Sequence, residues 1–256
     1  LIGSRTTQLR YLDLEECKRR NIKVVNIKAD SPVLKKTFST AEEAIALIFA
    51  LMRRIPWAFN SIKEGKWERK KYGGNELFGK TIGLIGLGRL GKIVARYSHC
   101  FGMKVIAYDP YVGFNAMKKS KVEKTDLQDL LKKSDIVSLH CIYNDSTFGM
   151  LKKEHFNSMK KTAVFINTAR GEITDEKQLL KALKDRRIAG AALDTLADED
   201  PSGKHLKNNP LVAYAKKNEN LIIVPHLGGA TSEATERTQI YISELVAKQI
   251  KSWEKQ

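Results

Sequence analysis

From Thr81 onward the chain alternates short apolar runs with longer amphipathic segments. The apolar runs have the length of strands buried on both faces of a sheet, and they cover 82–85, 105–108, 136–139, 163–166, 189–193 and 221–224. Between them, apolar residues at spacings of three and four predict helices over 90–101, 127–132, 152–159 and 176–184. Strict alternation of strand and helix requires right-handed crossovers, so the pattern predicts a doubly wound α/β domain with a parallel sheet.

The segments on either side do not continue this alternation. We predict a short helix over 14–20, a strand over 22–27, and a long apolar helix that runs from the capping box Ser39-Thr40-Ala41-Glu42 through Arg54. One long amphipathic helix is predicted over 231–253. We therefore expect three parts: 1–36 as part of a second lobe, 37–231 as the sheet domain, and 232–256 as a helix that returns to the second lobe.

A glycine-rich turn, Gly86-Leu87-Gly88-Arg89-Leu90-Gly91, directly follows the first predicted strand of the sheet and opens a helix. Gly86 permits the tight turn, Gly88 lets the backbone approach a pyrophosphate, and Gly91 lets helix and strand pack closely. The first turn of the helix offers unpaired N–H groups to the phosphates. The pattern is short and weak alone, but its place between strand and helix predicts a dinucleotide site.

Asp109 ends the next predicted strand. A carboxylate there can accept hydrogen bonds from both ribose hydroxyls and would repel a 2′-phosphate, and no basic residue follows in 110–112. The sequence therefore favours NAD over NADP.

Three candidate catalytic residues follow three other strands, at the carboxyl ends where open α/β sheets bind ligands. Arg170 follows the strand ending at 166, Glu199 the strand ending at 193, and His226 the strand ending at 224. His226 can give a proton to a carbonyl oxygen as a hydride arrives. An acid can hold the other ring nitrogen and raise the histidine pKa, and Arg170 can bind a carboxylate with its planar fork.

Each of these residues has an ordinary structural explanation when taken singly, and spacing alone also allows Asp198 or Asp200 in place of Glu199 as the acid. Their joint position beside a predicted nicotinamide site favours hydride transfer to a 2-oxo acid.

The composition adds a net charge of +16, from 45 Lys and Arg against 29 Asp and Glu. Such an excess suggests nucleic acid or an acidic membrane. The sequence has no recognition helix, no zinc-ligand spacing and no interleaved aromatic and basic stripe, so we expect no nucleic-acid partner and no metal site. The longest apolar run, 44–52, is far short of a membrane span, so we expect no membrane partner. Three cysteines are too few for a disulfide framework and favour a cytoplasmic location.

The glycine turn, Asp109 and the segments 167–171, 191–199 and 225–229 together resemble the D-isomer-specific 2-hydroxyacid dehydrogenases. Within that family, 61–71 with Gly79-Lys80-Thr81 behind them are most similar to the D-3-phosphoglycerate dehydrogenase branch. The resemblance implies NAD, a small 2-hydroxy or 2-oxo acid as substrate, and a Rossmann domain joined to a flavodoxin-like substrate lobe, here incomplete. It also implies a homodimer, to which the apolar helix 44–52 is a candidate contributor.

The same resemblance implies roles for individual residues. His226 would be the acid/base, Glu199 its partner and Arg170 the residue that binds the substrate and polarises its carbonyl. Arg89 and Leu90 would lie at the pyrophosphate, and Asp109 and Cys141 near the ribose. The full set of implied cofactor contacts is Thr7, Gly86, Gly88, Arg89, Leu90, Gly91, Asp109, Cys141, Thr168, Ala169, Asp194 and Gly229.

The chain departs from the family pattern in its substrate loop, which is usually glycine-rich and here is Arg5-Thr6-Thr7-Gln8-Leu9-Arg10. Glu199 is followed by Asp200 before Pro201, where the family usually has Glu-Pro. The chain also begins inside the first lobe and ends without the closing strand, so we expect a clipped or partial chain. An alternative function is an NAD(H)-sensing regulatory protein on the same scaffold, like the family's corepressors, although retention of Arg170, Glu199 and His226 favours the enzyme.

Overall fold

The computed structural model describes residues 1–7, 9, 11–200 and 202–253. Gln8 and Arg10 of the predicted substrate loop, Pro201, and 254–256 of the predicted last segment lie outside the described residues. The chain divides into two compact units: a small unit made of Leu1–Ser39 and Gly229–Gln256, and a sheet unit made of Thr40–Gly228. That the small unit binds the substrate stays a prediction.

Nine strands and eleven α-helices occur within the described residues. The strands are β1 (Ile2–Ser4), β2 (Val24–Asn26), β3 (Thr81–Ile85), β4 (Lys104–Tyr108), β5 (Glu123–Lys124), β6 (Ile136–Leu139), β7 (Val164–Asn167), β8 (Gly190–Leu193) and β9 (Leu221–Ile223). The helices are α1 (Leu14–Arg19), α2 (Pro32–Lys35), α3 (Ser39–Met52), α4 (Ile55–Lys63), α5 (Arg89–Cys100), α6 (Phe114–Lys119), α7 (Leu127–Lys133), α8 (Lys153–Ser158), α9 (Glu176–Lys184), α10 (Pro210–Ala215) and α11 (Ser232–Trp253).

In the small unit, β1 and β2 pair in parallel, with Ile2 opposite Val24. The long helix α11 packs directly on β1, because a side chain on Gly3 would lie 2.7 Å from the Val246 side chain. The N-terminus of α1 is capped by Asp13, whose carboxylate accepts from the Glu16 N–H at 2.8 Å.

The sheet unit is built on seven parallel strands in the order β5-β4-β3-β6-β7-β8-β9. The chain starts in the middle at β3, extends outward through β4 and β5, and then returns to the other side of β3 with β6. This reversal opens a crevice at the carboxyl ends of β3 and β6, where doubly wound folds bind nucleotides.

The strands are buried on both faces because each contributes alternate side chains to two cores. One core takes Ile82, Val105 and Ile166 and is covered by α3 and α5; the other takes Val137 and Phe165 and is covered by α7, α8 and α9. The predicted doubly wound fold is confirmed. The apolar run 44–52 of α3 lies mostly inside the first core, so its hydrophobicity is explained by packing.

Two local predictions were wrong, and one strand of the seven-stranded sheet was missed. The helix predicted through Arg54 ends at Met52; Arg54 has φ 54°, and α4 begins at Ile55 with Pro56, which has no N–H to continue the earlier helix. Ser39 is the first residue of α3 rather than its cap, and its buried hydroxyl has no hydrogen-bond partner among the described residues. The edge strand β5 was missed because Glu123 and Lys124 are charged and exposed.

Among the described residues, no single helix is long and apolar enough to cross a membrane. The bent pair Pro32–Met52 and Ile55–Lys63, at 60°, meets that test only when the two segments are taken together, by length and composition. Nor do these residues contain a group of three or more His, Cys, Asp or Glu that could hold a metal ion.

Candidate active site

His226 and Glu199 come together at the carboxyl edge of the sheet. His226 Nδ1 lies 2.6 Å from Glu199 Oε2, although the two residues follow different strands, β9 and β8. Of the alternatives that spacing allowed, Asp200 has a carboxylate that accepts from Ser202, and the charge of Asp198 acts on Glu176. Glu199 is therefore the acid that contacts His226 in this structure.

The backbone around His226 is held by Asp194, the first residue after β8. The Asp194 carboxylate accepts from the N–H groups of Leu227 and Gly228 at 2.5 and 3.0 Å, and the Asp194 carbonyl accepts from the His226 N–H at 2.9 Å. His226 itself has a φ of 53°, which a non-glycine residue rarely adopts. These contacts hold a strained residue in the orientation that reaches Glu199.

Arg170 is presented by a turn that Asn167 closes. The Asn167 side chain donates to the Arg170 carbonyl at 2.9 Å and accepts from the Ala169 N–H at 2.9 Å. The guanidinium donates to the Ala169 carbonyl at 2.6 Å. Its charge contributes to lowering the pKa of both His226 and Glu199, which places it electrostatically beside the pair.

The contact between Glu199 and His226 shifts their pKa values in opposite directions, as acid–base chemistry requires. The hydrogen bond that Glu199 accepts is the largest influence on His226 and, against burial, raises the pKa of His226 above the ordinary value. Burial alone would raise the pKa of Glu199, but hydrogen bonds from His226 and from the Leu196 N–H outweigh it and lower that pKa. An ionised Glu199 thus faces a readily protonated His226.

The glycine turn has the shape that a pyrophosphate requires. Gly86 has a φ of 97°, and a side chain there would lie 2.6 Å from the Cys141 N, so only glycine fits. Gly91 packs on the Gly86 carbonyl, where a side chain would lie only 2.3 Å away, whereas no atom comes within 4 Å of a side chain built on Gly88. Gly88 therefore leaves open space beside the N-terminus of α5, which fits a bound dinucleotide phosphate.

Asp109 lies at the end of β4, beside this turn. Its Oδ2 accepts from the Leu87 N–H at 2.8 Å, and its Oδ1 accepts from the Tyr111 N–H at 2.9 Å. Asp109 also lines a cavity of about 570 Å³. Lys124 and Lys133 line the same cavity, but Lys124 donates to the Val112 carbonyl and Lys133 is paired with Asp129. The carboxylate keeps acceptor capacity toward ribose hydroxyls.

We expect Asp109→Asn to weaken the discrimination against NADP, because it removes the charge that repels a 2′-phosphate. Discrimination should fall by on the order of 10-fold, as measured by the ratio of dissociation constants for NADPH and NADH. Asp145→Asn, on a loop outside this cavity, is the matched control. Unchanged discrimination in the Asp109 variant would assign the preference to another residue.

The other predicted cofactor contacts fall in both units. Arg89 and Leu90 form the first turn of α5, and burial lowers the pKa of Arg89. Burial also raises the pKa of the Cys141 thiol to about 11, so the thiol stays protonated at neutral pH. Thr168 is buried and its hydroxyl has no hydrogen-bond partner among the described residues, which suits a polar ligand group. Thr7 and Gly229 belong to the small unit, where the Thr7 carbonyl accepts from the Asn26 side chain at 3.4 Å.

Two neighbours of the site were missed from the sequence. The Thr40 hydroxyl donates to the Gly228 carbonyl at 3.0 Å and so supports the loop after His226. Glu43 on α3 has its pKa raised by burial and by the charge of Asp194. Neither residue follows a strand, and both lie far from the site in sequence, so no local signal indicated them.

Comparison with known proteins shows the family to which this chain belongs. The family model described as "D-isomer specific 2-hydroxyacid dehydrogenase, NAD binding domain" matches residues 45–228. The chain belongs to this dehydrogenase family. The predicted resemblance and the NAD-binding domain are therefore confirmed.

Individual members of the dehydrogenase family align over almost the whole chain. A D-3-phosphoglycerate dehydrogenase of Archaeoglobus fulgidus is 39% identical over 98% of this chain and 44% of its own length. One of Bacillus subtilis is 37% identical over 96% of this chain and 44% of its own length. The crystal structure of D-lactate dehydrogenase from Aquifex aeolicus, complexed with NAD and lactic acid, has a TM-score of 0.82 at 32% identity and covers 97% of this chain and 75% of that chain. The chain thus spans less than half the length of these curated relatives.

Proposed function

We propose that this chain is the cofactor-binding part of an NAD-dependent dehydrogenase that interconverts a D-2-hydroxy acid and a 2-oxo acid. The observation that carries the proposal is the 2.6 Å contact between His226 Nδ1 and Glu199 Oε2 at the carboxyl edge of the sheet, on the same edge as the glycine turn. Membership of the dehydrogenase family and the NAD-binding description of the matched domain support it.

The residues divide the work between them. NAD, when bound, supplies the hydride acceptor, and its reduced form supplies the hydride. With Nδ1 held by ionised Glu199, His226 has Nε2 available to give a proton to the substrate oxygen or to take it back. Arg170 binds the substrate carboxylate and stabilises charge on the carbonyl oxygen. Asp194 keeps His226 in place through the backbone.

The pH dependence of kcat should reflect the contact between Glu199 and His226. Since Glu199 raises the pKa of His226, Glu199→Gln is expected to lower it toward the ordinary value. Reduction of the 2-oxo acid needs the imidazolium, so the alkaline limb of its kcat profile should move to lower pH in the variant. Glu154→Gln, which changes an exposed acid on α8, serves as the control, and an unmoved limb in Glu199→Gln would separate Glu199 from the proton transfer.

The activity is tested by following NADH absorbance with a panel of 2-oxo acids and the protein that carries this sequence. The panel includes the oxidised counterparts of D-lactate and D-3-phosphoglycerate, because the relatives bear those names. Consumption of NADH with at least one of them is the expected result. Tight NADH binding without turnover on the whole panel would refute the proposal and favour the regulatory alternative.

A homodimer is part of the proposal. Helix α4 carries Ile55, Phe59 and Ile62, which are 52%, 63% and 53% exposed and share one helical face by their spacing. A second copy of the same face would remove this apolar stripe from water.

We expect Phe59→Glu to convert the dimer to a monomer, because it places a charge in the centre of this stripe. Molar mass by light scattering measures the change. Asn60→Glu, exposed on the same helix but on another face, should leave the dimer intact. A Phe59→Glu variant that stays dimeric would remove α4 from the interface.

A cytoplasmic location is the remaining part of the proposal. Cys17, Cys100 and Cys141 are all free thiols, which suits a reducing compartment. Recovery of the protein in the soluble cytoplasmic fraction is the expected result, and recovery outside the cytoplasm would contradict it.

A further inference from the structure

Glu176 is a carboxylate that neither the acid–base pair nor the cofactor contacts use. It is the first residue of α9, and its Oε1 accepts a hydrogen bond from the Ala197 N–H at 2.7 Å. The N-terminus of α9 is capped separately, since the Asp175 side chain accepts from the Gln178 N–H. Glu176 is therefore free of capping and is directed at the segment that follows β8.

That segment is the turn that carries Glu199. The Leu196 N–H donates to Glu199 Oε1 at 2.8 Å, while the other carboxylate oxygen contacts His226. Between Ala197 and Glu199 lies Asp198, with its left-handed φ. A non-glycine residue in this conformation costs free energy, so the turn needs contacts from outside to keep a single shape. The hydrogen bond from Ala197 to Glu176 is such a contact.

The segment before Glu176 contacts the peptide between Leu196 and Ala197 through Gly171. A side chain on Gly171 would lie 2.0 Å from the Leu196 carbonyl carbon and 2.1 Å from the Ala197 nitrogen. The backbone at Gly171 is thus in direct contact with the Leu196–Ala197 peptide. Because Gly171 follows Arg170, one continuous segment holds the substrate-binding arginine, supports the turn sterically and, through Glu176, anchors its N–H.

The surroundings of Glu176 disfavour its ionised form. Burial is the main reason that its pKa is raised; the charges of Asp198, Glu172 and Glu199 add to this, and the Ala197 N–H opposes it. A half-buried carboxylate beside three other acids is unfavourable unless a hydrogen bond stabilises it. The groups that face His226 are Glu199, Arg170 and Asp194, so Glu176 acts on His226 only through the turn.

We propose that Glu176 is a positioning residue for the Glu199–His226 pair. By holding Ala197 it fixes the turn from which Glu199 reaches His226 Nδ1, and it thereby sets how firmly His226 keeps its proton. The role in turnover rests on the acid–base function proposed above, whereas the effect on the His226 proton does not.

The test compares Glu176→Met, which keeps the length but loses the acceptor, with Glu176→Gln, which keeps an amide oxygen as acceptor. Glu176→Met should lower kcat by on the order of 10-fold, leave the KM for NADH unchanged, and move the alkaline limb of the reduction profile to lower pH. Glu176→Gln should keep the kcat, the KM for NADH and the alkaline limb of the starting protein. Glu154→Met, which replaces an exposed acid in the first turn of α8, is the matched control.

The titration of the His226 ring, followed by NMR in the complete protein, tests the inference without turnover. Glu176→Met should lower the His226 pKa, and Glu176→Gln should not. If the starting protein turns over no 2-oxo acid, the proposed function fails, and this titration still decides the role of Glu176. If Glu176→Met does not fold, Glu176→Asp, which shortens the reach, should lower the His226 pKa in its place. A normal His226 titration in the variant that folds, or equal impairment in Glu176→Gln, would overturn the inference.

Discussion

Replacing His226 with alanine is expected to lower turnover by roughly 10²- to 10⁴-fold, the range over which a positioned acid–base group contributes. No other histidine among the described residues contacts Glu199, so no neighbouring imidazole can take over the proton. The binding of NADH should be nearly unchanged, because the glycine turn and Asp109 lie on other strands. Steady-state kinetics together with an NADH titration measures both quantities.

The choice of substitution affects this experiment. His226 has a positive φ, which alanine tolerates poorly and asparagine tolerates better, so His226→Asn separates loss of the imidazole from backbone strain. His155→Ala on α8 is the control and should keep its activity. Turnover that survives in both His226 variants would remove His226 from the mechanism.

Replacing Arg170 with glutamine should lower kcat/KM for the 2-oxo acid by roughly 10²- to 10³-fold, because a charged donor to the carboxylate and the developing oxyanion is lost. A second effect has a defined sign. Since the charge of Arg170 contributes to lowering the His226 pKa, its removal should raise that pKa and move the alkaline limb of reduction to higher pH. This shift is opposite to the one expected for Glu199→Gln.

Arg186→Gln is the matched control for Arg170. Arg186 is exposed and precedes β8 at the amino edge of the sheet, opposite to the site. The Arg186→Gln substitution should leave both kcat/KM and the pH profile of reduction unchanged. An Arg170→Gln variant with normal kcat/KM would contradict substrate binding by this residue.

The sheet unit could be predicted from sequence because its strands are buried on both faces. Runs such as 163–166 and 221–224 are wholly apolar, and the glycine turn marks the junction of β3 and α5, where Gly86 has a positive φ and Gly88 leaves open space. By contrast, β5 consists of Glu123 and Lys124 at the sheet edge, where no burial demands apolar residues. The left-handed backbone at Arg54, beyond the end of α3 at Met52, leaves no mark in the apolar pattern.

The sequence could predict that an acid of the turn after β8 meets His226, but not which acid makes the contact. Spacing allowed Asp198, Glu199 or Asp200 as the acid, because neighbouring residues in a turn differ only in direction. In the structure it is Glu199 that contacts His226, with its second carboxylate oxygen accepting from the Leu196 N–H. Hydrogen bonds that join distant segments, such as Leu227 to Asp194 or Ala197 to Glu176, leave no local pattern in the sequence.

The most direct test of hydride transfer uses NADH deuterated at the transferable position, a 2-oxo acid from the panel, and the protein that carries this sequence. We expect a D-2-hydroxy acid with deuterium on C2, formed by the starting protein and suppressed in His226→Asn. If the protein binds the deuterated NADH and no deuterium enters any 2-hydroxy acid, or if the L-isomer forms, the proposed hydride transfer to give a D-2-hydroxy acid is wrong.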